Sequence, residues 1–358
     1  MKLQKCGGNI KMSMSVNGAF SDFFDNVVNI KKFDSDMAKS SRDYLICQIN
    51  NISKNGNFIR LASQYNCFFG SFSRKTKICI VDDIDLIIGL DGKNLIFEET
   101  QWDNITLKLR HECNDNVLIR LSDKVSNYYE LNTYQLNSSK VKNKLVSELN
   151  NIPQYEKAEI HARGEAVTLK LKSYTWNFDI VPAFFYTDKL NKSFFLIPNG
   201  NGKWKKTNPK IEQNRITEAN IKFNGTVIKT VRLIKYWNKH GKMPNITSYV
   251  LETMALDYFD QAQHSDIINN TAFDYAHKHF KNALRYISNN IFNVVHDSKK
   301  IQGNINNLTY EEKQKIHIRA YNDYRKAQCA IEAEVDGNYK KSINIWREIF
   351  GDDFPKYG

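Results

Sequence analysis

The chain has 358 residues, 41% of them hydrophobic and 12% aromatic, a composition that supports a sizeable core and excludes a disordered chain. Lysine and arginine outnumber aspartate and glutamate by 51 to 39, a net charge of +12 that points to anionic partners such as nucleotides, nucleic acid or phospholipid headgroups without choosing among them. No apolar run approaches the ~20 residues of a membrane span. The start lacks a continuous apolar leader, and six scattered cysteines without a CxxC fit a reducing, cytoplasmic setting.

Residues 19–54 have helical periodicity. Phe20, Phe23, Phe24, Val27 and Val28 recur at helical spacing, Met37, Tyr44, Leu45, Ile49 and Ile52 continue the pattern, and Asp34 or Ser35 offers an N-cap between the two pieces. Strand character follows over 67–72, 77–90, 105–109 and 117–121. A polar helix over 138–151 leads to strands over 166–172 and 176–181, the second ended by Pro182. A loop rich in Gly, Asn and Lys occupies 198–210. From about Thr217 to the end the pattern is helical. The expected fold is α+β and bilobal: a mixed-sheet core with its N-terminal helices over 1–215, and a helical lobe over 216–358.

The segment over 77–90 is the anomalous one. It reads as a buried strand, yet Asp82, Asp83 and Asp85 stand among its apolar residues. Alternation puts Asp83 and Asp85 side by side on one face, their Cα atoms roughly 6.6 Å apart, and Asp82 on the other. Two carboxylates so close raise each other's pKa, and a divalent cation removes the conflict. Asp82 is expected to be a local hydrogen bonder. The plain alternative is a strand end emerging into solvent, but Leu86, Ile87 and Ile88 continue the apolar run beyond the acids. Upstream lies Gly70-Ser71, with eleven residues between Ser71 and Asp83; Gly allows close backbone approach to a phosphate and Ser supplies a donor. Ser73, Arg74, Lys75, Thr76 and Lys77 fill the gap with donors and cations. Downstream, Asp179 in "WNFDIVPAFF" is again an acid inside an apolar strand, either a third metal ligand or an edge acid.

G-S, eleven residues, D-I-D-L and a lone acid on a later strand together resemble the DNA polymerase β-like nucleotidyltransferase superfamily. "VRLIKYWNKHGKMPNITSYVLETMALDYF" is similar to a helical segment of the 2′-5′ oligoadenylate synthetase and cGAS group. "IPNGNGKWKKTNP" and "INIWREIFGDDFP" resemble the bacterial cGAS/DncV-like nucleotidyltransferases (CD-NTases) of anti-phage CBASS systems. The resemblance covers most of the chain. It implies that Gly70 and Ser71 hold the β- and γ-phosphates, that Asp83 and Asp85 ligate two Mg²⁺ ions (with Mn²⁺ as a substitute), and that Asp179 ligates the catalytic one. It further implies that Lys235 neutralises the triphosphate and Ser248 donates to it, with Tyr249 close by. The substrates would be nucleoside triphosphates (ATP, GTP, UTP or CTP) and the product a cyclic di- or trinucleotide. A downstream effector would bind that product, and CBASS proteins could act as regulatory partners.

Several features have plainer readings. Arg232, Lys235, Lys239 and Lys242 recur at helical spacing, usually the mark of a solvated face. Ser248 or Thr247 could serve as a helix N-cap. "NGNGKWKKTNP" lacks P-loop order and is either a surface loop or a loop whose Lys203, Lys205 or Lys206 touches phosphate. His277 and His279 stand at i, i+2, a poor spacing for a zinc pair on a helix. "LRHEC" does not match the zinc insertion of the animal DNA sensor, so no duplex DNA requirement is expected. Beside the cyclase stand a linear 2′-5′ oligonucleotide synthase, an RNA-terminal nucleotidyltransferase and a catalytically silent nucleotide- or RNA-binding module.

Overall fold

The structure is a computed structural model and describes residues 14–126, 133–241, 244–262 and 276–358. Cys6, Lys242 and the start of the helical pattern at 272–275 lie outside the described residues; the other five cysteines are free thiols. The chain divides into two compact units.

The larger unit comprises Ile30–Ile228 and Val294–Asn307. It is built on one mixed sheet of eleven strands: β1 (Cys67–Phe69), β2 (Asp83–Leu90), β3 (Leu95–Gln101), β4 (Asn104–Leu109), β5 (Ser122–Val125), β6 (Thr133–Leu136), β7 (Glu159–Arg163), β8 (Ala166–Lys170), β9 (Asn177–Thr187), β10 (Ser193–Pro198) and β11 (Trp204–Thr207). The main order is β1-β2-β9-β10-β11-β4-β6-β5, with β3 on β4 and the β7-β8 hairpin on β9. β2 and β9 run parallel, and their other neighbours are antiparallel.

The two faces of this sheet differ. On one, Ile84, Leu86 and Ile88 of β2 and Phe178 and Ile180 of β9 join the main core. Helix α2 (Lys32–Lys54) adds Leu45 and Ile49 there, and a second helix (Ser138–Asn150) adds Val141, Leu145 and Leu149. The opposite face buries only a small cluster of Cys67, Ile87, Val181, Ala183 and Phe195. By strand alternation Asp83, Asp85 and Asp179 belong to this second face, at the end where the cluster stops. The acids therefore sit on a sheet that is well packed behind them, at the edge of the small cluster on their own face.

The smaller unit takes Met1–Asn29, Lys229–Asn293 and Leu308–Gly358. Its core is aromatic. Phe20 of α1 (Val16–Phe23) stacks on His277 at 4.9 Å and meets Trp346 and Phe354 edge-on, while Phe23 meets Tyr236. Such pairs add about 0.5–1.5 kcal/mol each beyond area burial. This is why α1 belongs with the C-terminal helices rather than with the expected 1–215 core. The boundary also differs at 215/216, because the helix Pro209–Lys222 is tied into the sheet unit: Glu212 accepts from Arg74 at 3.0 Å and from Lys299 at 2.6 Å. Lys299 brings 294–307 into the same unit.

Strands β3, β6, β7, β10 and β11 are not among the sequence expectations, and local structure departs from those expectations elsewhere as well. Segment 67–72 is a strand only to Phe69, after which Gly70–Ser73 makes one helical turn. The strand expected over 77–90 begins at Asp83, since Lys75 and Cys79 adopt left-handed backbone angles that a strand cannot contain. Segment 117–121 is a helix, Asn116–Arg120, capped by Asp115, whose carboxylate accepts from Val117 and Leu118 N–H. Pro182 does not end its strand. On the flank away from β2, pairing to β8 stops at Ile180 and pairing to β10 starts at Phe184, so the missing N–H falls between two ladders. In the N-terminal region Lys31 occupies the N-cap position and Asp34 lies in the first turn of α2, where a carboxylate favours the helix dipole.

Candidate active site

The site begins at the turn after β1. Phe69 pairs with Asp85 across the antiparallel β1-β2 ladder, so the next residue, Gly70, arrives beside the Asp85 side chain. Gly70 has φ +71°, and a Cβ there would lie 1.7 Å from Oδ2 of Asp85. Only glycine fits both the angle and the space. The turn is fastened from behind: the Ser71 carbonyl accepts from Thr76 N–H at 2.9 Å and from Lys77 N–H at 3.1 Å, and Ser73 Oγ donates to the Phe68 carbonyl at 3.1 Å.

The three acids meet through strand register. Asp85 on β2 is the direct parallel neighbour of Asp179 on β9, and Asp83 stands two residues before it on the same face. Thr168 on β8 is opposite Asp179 and donates its hydroxyl to Oδ1 at 2.7 Å. Asp82 is exposed and shares the Lys77 ammonium with Asp83. Its expected role as a local hydrogen bonder therefore has a named partner.

Electrostatics at the site reflect crowded like charge. Burial, then the charges of Asp83 and Asp179, push the Asp85 carboxyl up to about 7, against the pull of Lys77 and Arg74. Burial and the hydrogen bond with Asp82 push Asp83 up to about 6, although Lys77 acts the other way. For Asp82, burial is outweighed by its bonds with Asp83 and Lys77, which hold it below the usual carboxylate range. For Lys77, burial is outweighed by the two carboxylates, which raise it.

The donor set suits a hard divalent cation, being all carboxylate oxygen beside a turn that presents N–H groups. Burial first, and neighbouring carboxylates second, raise Asp83 and Asp85. As the side chains stand, no group of three or more His, Cys, Asp or Glu among the described residues converges on one point. Lys77 holds Asp83, and Thr168 holds one oxygen of Asp179.

The remaining expected site residues lie in the other unit. Lys235 is on the helix Thr226–Lys239 and Ser248 is the first residue of the helix Ser248–Gln261. Lys235 is not on a solvated face: its side chain is 8% exposed, and its ammonium bonds Glu252 Oε1 at 2.9 Å. Leu233, Ile234, Tyr236 and Trp237 around it are buried as well, while Lys239 is exposed. Thr247 occupies the N-cap position, Ser248 is exposed and Tyr249 is half-buried. The Lys-rich loop proves to be a hairpin between β10 and β11. Lys203 bonds Thr106 and Gln135, Lys205 pairs with Glu165, and Lys206 pairs with Glu99. His277 and His279 go to separate partners, Glu334 and the Tyr258 hydroxyl, as their i, i+2 spacing implied.

Sequence reasoning missed Thr168 as an orienting group and passed over Arg74 and Lys77 as generic cations. Thr168 has no motif of its own; only the β8-β9 register reveals it.

No family model matches the sequence. The chain is 37% identical over 349 residues to a probable cyclic nucleotide synthase of Bacillus cereus strain VD146, covering 97% of this chain and 99% of that one. Its fold matches E. coli MS115-1 CdnC, solved in complex with HORMA-deltaN, with a TM-score of 0.62 at 15% identity over 94% of this chain and 97% of that one. It also matches a mutant of the Vibrio cholerae dinucleotide cyclase DncV, solved with ATP and GTP, with a TM-score of 0.63 at 10% identity over 97% and 98%. Among the described residues, no helix is long and apolar enough to cross a membrane.

Proposed function

Because the chain belongs to the bacterial cGAS/DncV-like nucleotidyltransferase family and is a cyclic nucleotide synthase by kinship, we propose that it is a Mg²⁺-dependent enzyme that joins nucleoside triphosphates into a cyclic di- or trinucleotide serving anti-phage defence. The observation that carries this reading is the parallel register of Asp85 with Asp179, with Asp83 on the same face and Gly70 against Asp85. In this reading the N–H groups at Gly70 and Ser71 receive the β- and γ-phosphates. Asp83 and Asp85 hold two Mg²⁺ ions and Asp179 the catalytic one. The bound ions would supply Lewis-acid stabilisation at the transferring phosphoryl group and ease ionisation of the acceptor hydroxyl. Asp179, with Oδ1 occupied by Thr168, uses Oδ2 to take the proton from that ribose hydroxyl. The hydroxyl oxygen attacks the α-phosphorus in line and pyrophosphate leaves. In the same reading Lys235 would neutralise the leaving pyrophosphate and Ser248 would donate to it, with Tyr249 close by; Lys235 would have to give up its pair with Glu252 to do so. A final intramolecular transfer closes the ring.

The substrates are ATP, GTP or the pyrimidine triphosphates. The ATP and GTP of the DncV complex support nucleoside triphosphates as a class. The HORMA complex of CdnC supports a regulatory protein partner. An effector would read the product rather than the enzyme, in a cytoplasmic setting and without duplex DNA.

The test is to incubate the protein with all four NTPs and Mg²⁺, labelling one nucleotide at a time, and then to treat with phosphatase. A phosphatase-resistant labelled product that Asp83→Ala/Asp85→Ala fails to make is the expected result. A linear product retires the cyclase reading. Equal turnover by wild type and the double variant retires catalysis by these acids.

A further inference from the structure

Lys77 is the feature of the site that the proposed reaction does not use. Its side chain is only 12% exposed, although lysine is rarely so enclosed without a partner, and its ammonium contacts both Asp82 and Asp83. The backbone around it is held in an unusual path. Lys75 and Cys79, two residues to either side, have φ of 60° and 64°, a region where residues with side chains stay only when the surroundings demand it. The main-chain N–H of Lys77 donates to the Ser71 carbonyl at 3.1 Å. One short segment therefore joins the turn that would take phosphate to the carboxylate that would take a cation.

An ammonium and a divalent cation compete for the same oxygens of Asp83. A cation arriving alone must displace Lys77 from Asp83, leaving its charge near the ion with only the exposed Asp82 as counter-charge. A cation arriving with a triphosphate at Gly70-Ser71 leaves Lys77 a new anion nearby, because its backbone is fastened to Ser71. We propose that Lys77 is a tethered counter-ion that keeps Asp83 closed to divalent cations until a nucleoside triphosphate offers its ammonium an anion in place of Asp83, so that metal and nucleotide bind cooperatively. The inference rests on the proposed metal role of Asp83. It gives Asp82 a purpose as well: just before the strand, it is the second anchor that stations the lysine there.

The test uses the full chain and Mn²⁺, read by electron paramagnetic resonance of the free ion without nucleotide, so that turnover plays no part. Lys77→Met is expected to bind Mn²⁺ about tenfold more tightly than wild type, the scale of an ordinary coupling between sites. In saturating Mn²⁺ it is expected to bind a non-hydrolysable α,β-methylene triphosphate about tenfold more weakly. Lys77→Gln should behave alike, which separates loss of the charge from any misfit of methionine. Mn²⁺ affinity that is unchanged or weakened in both variants overturns the proposal, as does unchanged nucleotide affinity. Asp83→Asn is the control for the underlying reading. If it binds Mn²⁺ as tightly as wild type, Asp83 is no ligand and the failure belongs to the metal assignment, not to Lys77.

Discussion

Replacing Asp85 by asparagine tests the site through stability rather than turnover. Asp85 is pushed up to about 7 from an ordinary 3.8, so the folded protein holds its proton more tightly than the unfolded chain does. At about 1.4 kcal/mol per tenfold in proton affinity, the ionised form disfavours folding by at most about 4 kcal/mol in the metal-free protein. The side chain is half-buried and partly screened by solvent, which reduces the expected gain on removing the charge to about 1–2 kcal/mol. Asparagine keeps the shape that fills the slot beside Gly70, so little packing is lost. The sign follows from linkage. A carboxyl with a raised folded pKa leaves stability highest below the unfolded value and lowers it as pH rises from about 4 to about 7. Asp85→Asn should therefore raise the metal-free melting temperature by about 1–3 °C at pH 8, with a gain that shrinks toward pH 4. Mg²⁺ or Mn²⁺ should stabilise wild type and not the variant, which should be inactive. Differential scanning fluorimetry across pH, with and without the ion, reads all of this. A variant less stable than wild type at pH 8, or a gain independent of pH, would refute the charge-crowding argument.

Three further outcomes follow from named contacts. Gly70→Ala introduces a methyl into the Asp85 carboxylate at a left-handed backbone angle; it should fold with a loss of about 1–3 kcal/mol by thermal melting and lose at least about 100-fold in turnover, because the acid is displaced. Thr168→Val removes the hydroxyl that orients Asp179 while keeping a β-branched strand residue; activity and Mn²⁺ affinity should drop about 10–100-fold with little change in melting temperature. Glu252→Gln removes the carboxylate that pairs with the enclosed Lys235 ammonium, and should destabilise by about 3–5 kcal/mol in denaturant unfolding. Lys235→Met combined with Glu252→Leu should recover most of that loss, whereas equal damage in the single and double variants would mean that packing, not charge, is at stake.

Much of the site was legible in the chain because its logic is local. Asp83 and Asp85 share a face since a strand repeats every two residues; Asp82, which alternation put on the other face, precedes the strand and is exposed. Gly70-Ser71 stood out by its spacing to those acids. The strand limits were less legible. Nothing in the local pattern reveals that Lys75 and Cys79 take left-handed angles, so 77–82 read as strand when it is the loop that stations Lys77. Pro182 misled in the same way, because its tolerance depends on where two neighbouring ladders happen to end.

The sequence by itself determined which residues could do this chemistry: the paired acids, the glycine before them, the lone acid later, and the helical character of the C-terminal part. Tertiary structure alone decided how they are used. The register of β2 against β9 sets Asp179 beside Asp85 across a gap of nearly a hundred residues, and the register of β8 adds Thr168. Lys235 looked like one of a solvated row until Glu252, on the next helix, met it in the interior. Phe20 and Phe23 looked like part of the N-terminal core until their rings packed with His277, Trp346, Phe354 and Tyr236. Periodicity along a chain reports the face a side chain occupies. The partner on that face is chosen by strand register and by the packing of distant elements, which a local pattern does not encode.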